Sequence, residues 1–176
     1  FYTNTTSTLT GTIGGVAVSG AAASDDLEVV QLLGFSKSFD GPTTATGTAT
    51  LTFTITNPGT STVSGISFLD DLDTMISGLI ATSLPALPCG AGSSITGTTL
   101  LTFSGGELPP MGGTCSFDVD VLLPATATPG TYNNTTSELL SAGLLVAPAA
   151  TADLTVEPPP LFDKSFAPNP MFTGGT

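Results

Sequence analysis

Between Thr50 and Asn57 apolar Leu51, Phe53 and Ile55 alternate strictly with Thr50, Thr52, Thr54 and Thr56. A period of two puts one face of a strand in a core and the other in water, so this segment is predicted as a half-buried strand carrying a threonine ladder. Asn57-Pro58-Gly59 ends it with turn chemistry. A second firm strand is predicted over Thr114 to Leu122, with Cys115, Phe117, Val119 and Val121 inward and Ser116, Asp118 and Asp120 outward. Val63 to Phe68 is a weaker strand, interrupted by Gly65 and closed by the acidic run Asp70-Asp71-Leu72-Asp73. Leu100 to Phe103 leads into Gly105-Gly106 and a turn around Pro109-Pro110-Met111-Gly112-Gly113, and Gly78 to Leu84 fits either a short strand or a helical turn. After Pro129-Gly130, Tyr132 to Leu140 and Thr151 to Val156 are the expected closing strands. About seven to nine short strands with frequent turns predict an all-β, Ig-like antiparallel β-sandwich. An up-and-down barrel fits the strand count less well, and a parallel β-helix needs a shorter repeat.

Two of these patterns occur twice. Tyr2-Thr3-Asn4-Thr5-Thr6-Ser7 returns as Tyr132-Asn133-Asn134-Thr135-Thr136-Ser137, and Phe35-Ser36-Lys37-Ser38-Phe39 returns as Phe162-Asp163-Lys164-Ser165-Phe166, at a near-constant offset of about 130 residues. The expected organisation is therefore a window across a tandem array. Residues 1–32 are the closing strands of one module, with Tyr2 to Leu9 and Asp26 to Val30 as the counterparts of the later pair. Residues 33–157 form a complete sandwich, and 158–176 a joint with the first strand of the next. Glu157-Pro158-Pro159-Pro160 is a stiff joint, whose place at the earlier junction is taken by Val30-Gln31-Leu32-Leu33.

Composition narrows the function classes. Charged residues make up 9% of the chain and apolar ones 40%, which excludes the charge-rich composition of disorder. The 21 Gly and 14 Pro supply turns. Two Lys, no Arg and a net charge of −12 exclude a phosphate-binding surface, so no nucleic-acid partner is expected. No stretch approaches the roughly 18 to 20 unbroken apolar residues of a membrane span, and no signal segment is visible. With no His, a Ser-His or Cys-His dyad cannot form, and Asp118 with Asp120 sits on a solvent face beside no aromatic platform. No enzyme is expected. Cys89 and Cys115, the only cysteines, are expected to form a disulfide, a tie worth about 3 kcal/mol on chain-entropy grounds. That places the chain in an oxidising, extracellular or cell-surface setting.

Taken in order, Lys37-Ser38-Phe39, Leu51 to Pro58, Ile66-Ser67-Phe68-Leu69-Asp70, Cys89-Gly90, Gly112-Gly113-Thr114-Cys115, Gly130 to Thr136 and Ala152 to Val156 resemble the Ig-like repeats found in tandem in large bacterial surface proteins. The resemblance implies an extracellular stalk, adhesin or fibre segment, with neighbouring modules or subunits as partners. Two alternatives are a filament subunit that polymerises by strand complementation between neighbours and a module whose tips at Gly90 to Ser94 and Gly105 to Gly113 bind a carbohydrate or host protein. Asp71-Leu72-Asp73-Thr74 departs from the pattern, which continues there to Leu-Pro and a glycine.

Chemistry, if present, centres on the lysines. Phe35, Lys37 and Phe39 share one face of a strand, so Lys37 points along an apolar stripe and needs a partner. By the same parity Asn57 follows Ile55 inward, Asp70 follows Phe68, and Asn134 follows Tyr132. A buried ion pair of Lys37 with Asp70 is one expectation. The other is an intramolecular isopeptide bond of Lys37 to Asn134 or Asn57, assisted by Asp70, since surface proteins of this class sometimes join lysine to asparagine. Asp70, Asp71 and Asp73 are candidate calcium ligands, though calcium takes six to eight oxygens and this run offers three side chains; Asp25, Asp26 and Glu28 are a similar group. No other cofactor is expected. Asn4, Asn133 and Asn134 each begin an Asn-x-Thr glycosylation sequon.

Overall fold

The computed structural model describes residues 2–27, 31–165 and 173, and almost every regular element in it is a strand. The first four are β1 (Tyr2–Thr5), β2 (Thr10–Ile13), β3 (Val16–Ser19) and β4 (Ser24–Leu27). Next come β5 (Gly34–Phe39), β6 (Thr43–Thr44), β7 (Thr48–Asn57), β8 (Val63–Asp71), the one-turn helix α1 (Leu72–Met75), β9 (Ile80–Ser83), β10 (Ser94–Thr96) and β11 (Leu100–Leu108). The series closes with β12 (Gly113–Leu122), β13 (Gly130–Thr135), β14 (Leu139–Ser141), β15 (Leu144–Ala147) and β16 (Thr151–Glu157).

The all-β sandwich expected from the alternation is present. One sheet runs in the order β5-β7-β12-β9 and the facing one β10-β11-β8-β14-β15, while β13-β16-β6 forms a third, shorter sheet beside β5. In the long β7–β12 ladder Phe53 stands opposite Phe117. Their rings stack at 5.3 Å and continue into the facing sheet, Phe53 to Phe68 at 5.0 Å and Phe117 to Phe103 at 5.3 Å. Phe68 and Phe103 close this ring of four at 5.1 Å. Each such side chain contributes about 1.5–3 kcal/mol by leaving water, so this cluster is the centre of the core. The outer face of the same ladder is polar from Thr50 and Asp120 to Thr56 and Thr114. Thr50 and Thr52 donate to Asp120 and Asp118, and Thr54 and Thr56 pair with Ser116 and Thr114.

Several elements differ from their expected bounds. β8 runs through Asp70 to Asp71 rather than stopping before the acidic run, because β11 supplies a ladder partner that far. β11 in turn continues past Phe103 through Gly105-Gly106 to Leu108, and the expected turn follows it at 109–113. The register shifts around Gly106, and Gly105 adopts φ 73°, so the glycines form a bulge. The expected strand from Tyr132 to Leu140 splits, β13 staying with β16 while β14 crosses to pair with β8. Gly97, between β10 and β11, has φ +108°, and a Cβ there would lie 1.9 Å from the Leu100 carbonyl oxygen. Gly97→Ala should therefore lower stability by about 1–3 kcal/mol, seen as a lower urea midpoint with an unchanged slope.

The first four strands repeat the last four. β1 pairs antiparallel with β4, Tyr2 opposite Leu27 and Thr5 opposite Ser24. In β13 and β16 the matching residues have the same register, Tyr132 opposite Leu154 and Thr135 opposite Thr151. The β2–β3 hairpin turns on Gly14-Gly15 where β14–β15 turns on Ala142-Gly143, all four at positive φ. β1, β2 and β3 are exposed along their whole length. Residues 158–165 form no strand, unlike the equivalent β5, which has β7 as its ladder partner. Glu28, the end of the expected strand at Val30, and Phe166 with most of the segment after it lie outside the described residues.

Candidate functional site

Three inward positions on three sheets meet at one point. Strand parity on β5 carries Lys37 inward between Phe35 and Phe39, on β8 it carries Asp70 inward after Phe68, and on β13 it carries Asn134 inward after Tyr132. Lys37 Nζ donates to both carboxylate oxygens of Asp70, at 3.1 and 3.3 Å, and to Asn134 Oδ1. Asn134 Nδ2 also reaches the Asp71 carbonyl at 3.5 Å. Only 7% of Lys37, 1% of Asn134 and none of Asp70 is exposed. The cluster thus joins the first strand of the sandwich to its closing region across both faces.

Water is excluded from this charge pair, and that sets its electrostatics. Burial pushes the Lys37 ammonium down from its ordinary pKa, against the attraction of Asp70. Burial likewise pushes the Asp70 carboxyl up, against Lys37 and a hydrogen bond with Asn134. Both shifts favour the neutral forms, an amine and a carboxylic acid. Passing the proton from one to the other changes no net charge.

Asn57 does not join this cluster. Its Nδ2 donates to the carbonyls of Ser61 at 2.8 Å and Pro109 at 3.0 Å, and its Oδ1 accepts from Gly59 N at 3.0 Å. It pins the turn after β7, at the C-terminal end of that strand, away from the Lys37–Phe53 register pair and beyond the Gly34–Thr56 pair where β5 begins. The three acids grouped as calcium ligands also diverge. Asp70 is committed to Lys37, Asp71 caps α1 by accepting from Asp73 N and Thr74 N, and Asp73 accepts from Gly78 N at 2.7 Å. Among the described residues no group of acids, His or Cys is arranged to hold a metal.

Cys89 and Cys115 are joined, tying the loop before β10 to the inward face of β12. Ser93 Oγ accepts from Cys89 N and donates to Gly90 O, which orders the tip at 90–94. Of the three sequons, Asn4 and Asn133 are exposed, Asn133 donating to Asp153 at 2.8 Å. Asn134 is buried, so its side chain offers no access to a glycan-transferring enzyme. Thr136 completes the site unannounced. It is buried, it bridges Asp70 through the backbone, and its Oγ1 accepts from Ala150 N at 3.0 Å. The signal for it is parity, since 132, 134 and 136 continue one face.

A family model described as Domain of unknown function (DUF7933) matches residues 34–156. No curated protein matches the chain. Among solved structures, a chain of a CaDoc0917–CaCohA2 complex is 16% identical, with 70% of this chain and 100% of that one covered and a TM-score of 0.49. A non-cellulosomal cohesin from the hyperthermophilic archaeon Archaeoglobus fulgidus is 11% identical over 70% of this chain and 91% of its own, with a TM-score of 0.48. A family 123 glycoside hydrolase from Clostridium perfringens is 14% identical over 71% of this chain and 27% of its own, with a TM-score of 0.43.

Proposed function

We propose that this chain, which belongs to the DUF7933 family, is a load-bearing segment of an extracellular surface protein or fibre built from tandem copies of the same sandwich. The observation that carries this reading is the Lys37–Asp70–Asn134 cluster, which ties the first strand to the closing strands through all three sheets. In a rod pulled from its ends, tension enters a module at β5 and at β16, and β16 is laddered to the β13 strand that carries Asn134. The repeated register of β1–β4 and β13–β16 supports a second copy of the closing sheet within the chain. On this reading 33–157 is one module, 1–32 the closing part of another, and 158–176 a joint and an opening strand. The Cys89–Cys115 disulfide supports an oxidising location.

A second reading, a filament subunit polymerising by strand complementation, draws support from the exposed apolar side chains of the early strands, Tyr2, Ile13, Val16 and Val18. Sedimentation and small-angle scattering separate the two. A tandem segment should remain monomeric and elongated over a wide concentration range. Reversible, concentration-dependent growth into polymers, abolished by deleting residues 1–32, would overturn the rod in favour of strand exchange.

A further inference from the structure

We infer that Lys37 and Asn134 become joined by an amide bond between Lys37 Nζ and Asn134 Cγ, with Asp70 moving the protons. The nucleophile, the carboxamide and the acid are in mutual contact, each on a different sheet, so folding itself brings them together. Effective molarity in such a fixed arrangement replaces a reagent. Burial removes the competing water and favours the neutral amine, which is the form with a lone pair to donate. Asn57 is the internal contrast, a buried asparagine whose amide is spent on backbone carbonyls with no amine beside it.

The chemistry balances within the three side chains. A proton passes from the Lys37 ammonium to the Asp70 carboxylate, leaving an amine and a carboxylic acid. The nitrogen lone pair attacks Asn134 Cγ as Asp70 protonates Oδ1, giving a tetrahedral carbon. Asp70, now a carboxylate, takes a proton from the attacking nitrogen and delivers it to Nδ2. The carbonyl re-forms, the Cγ–Nδ2 bond breaks, and ammonia leaves, carrying with the proton from Oδ1 the charge that Lys37 began with. One alkylammonium and one carboxamide yield one secondary amide and one ammonium ion, with no change of oxidation state.

The bond suits the load-bearing role but does not rest on it, because it would form in any correctly folded copy. Intact-mass measurement of the purified, disulfide-reduced protein tests it directly. The expected mass is that of the sequence less one ammonia, with a branched Lys37–Asn134 peptide after digestion. Asn134→Asp should lose one water instead, and Asp70→Ala and Lys37→Arg should keep their full masses. A wild-type protein that is folded by circular dichroism and has the unmodified mass overturns the bond while leaving the rod reading to the scattering experiment. Loss of ammonia that survives Lys37→Arg would also overturn it, since the loss would then arise elsewhere.

Discussion

Asp70→Ala should cost the sandwich about 3–5 kcal/mol, because it strands a buried ammonium with the neutral Asn134 carboxamide as its remaining side-chain partner. The loss grows by about 5 kcal/mol if the variant also fails to close the covalent loop between residues 37 and 134, a constraint on the unfolded chain. Urea unfolding of the oxidised protein measures the sum. The informative control is Lys37→Met combined with Asp70→Leu. Replacing both partners removes the desolvation penalty along with the attraction, so the double variant should recover most of what the ion pair contributes while remaining unlinked. A single variant as stable as wild type would mean that Lys37 reaches water by another route.

Removing the disulfide should have the second largest effect. Cys115 lies inward on β12, and Cys89 lies midway along the connection from β9 to β10, which has little regular structure of its own. Without the bond that connection is held mainly by Ser93 and the β10–β11 ladder. Cys89→Ser with Cys115→Ser should lose about 3 kcal/mol, which for a chain of this size lowers the melting midpoint by about 6–12 °C. The comparison of melting curves with and without reductant makes the same measurement on the unaltered protein. Identical curves would mean that the loop is ordered independently of its tie.

Much of this site is legible in the alternation of side chains, and the failures have specific causes. Parity assigns Lys37, Asp70 and Asn134 to the interior, and it assigns Asn57 there with equal force. What parity lacks is position along the strand. The β5–β7 register puts Lys37 opposite Phe53, so Asn57 falls beyond the start of β5 and serves the turn instead. Proximity in sequence misleads for Asp70, Asp71 and Asp73 for the complementary reason. Successive residues of a strand face opposite ways, and α1 begins immediately after Asp71, so three neighbouring carboxylates end with three different partners. Gly105-Gly106 reads as the end of the strand at Phe103 because glycine weakens a strand pattern, and only the β8 ladder shows a bulge through which β11 continues. The β14–β15 hairpin is hidden because Leu139-Leu140 breaks the alternation at the point where the chain changes sheets. The likeness of the two ends is legible in sequence and recurs in register, Tyr2 standing opposite Leu27 as Tyr132 stands opposite Leu154.

Pulling a polyprotein of oxidised modules by single-molecule force spectroscopy tests most directly whether tension passes through the tie between the first and closing strands. With Lys37 bonded to Asn134, the 97-position separation they span is withheld from extension. Rupture of each module should then release only the segments outside the tie, about 90 Å of chain at roughly 3.3–3.6 Å per residue. Release of the full contour of residues 33–157 at each rupture, less only the stretch enclosed by the disulfide, would contradict it.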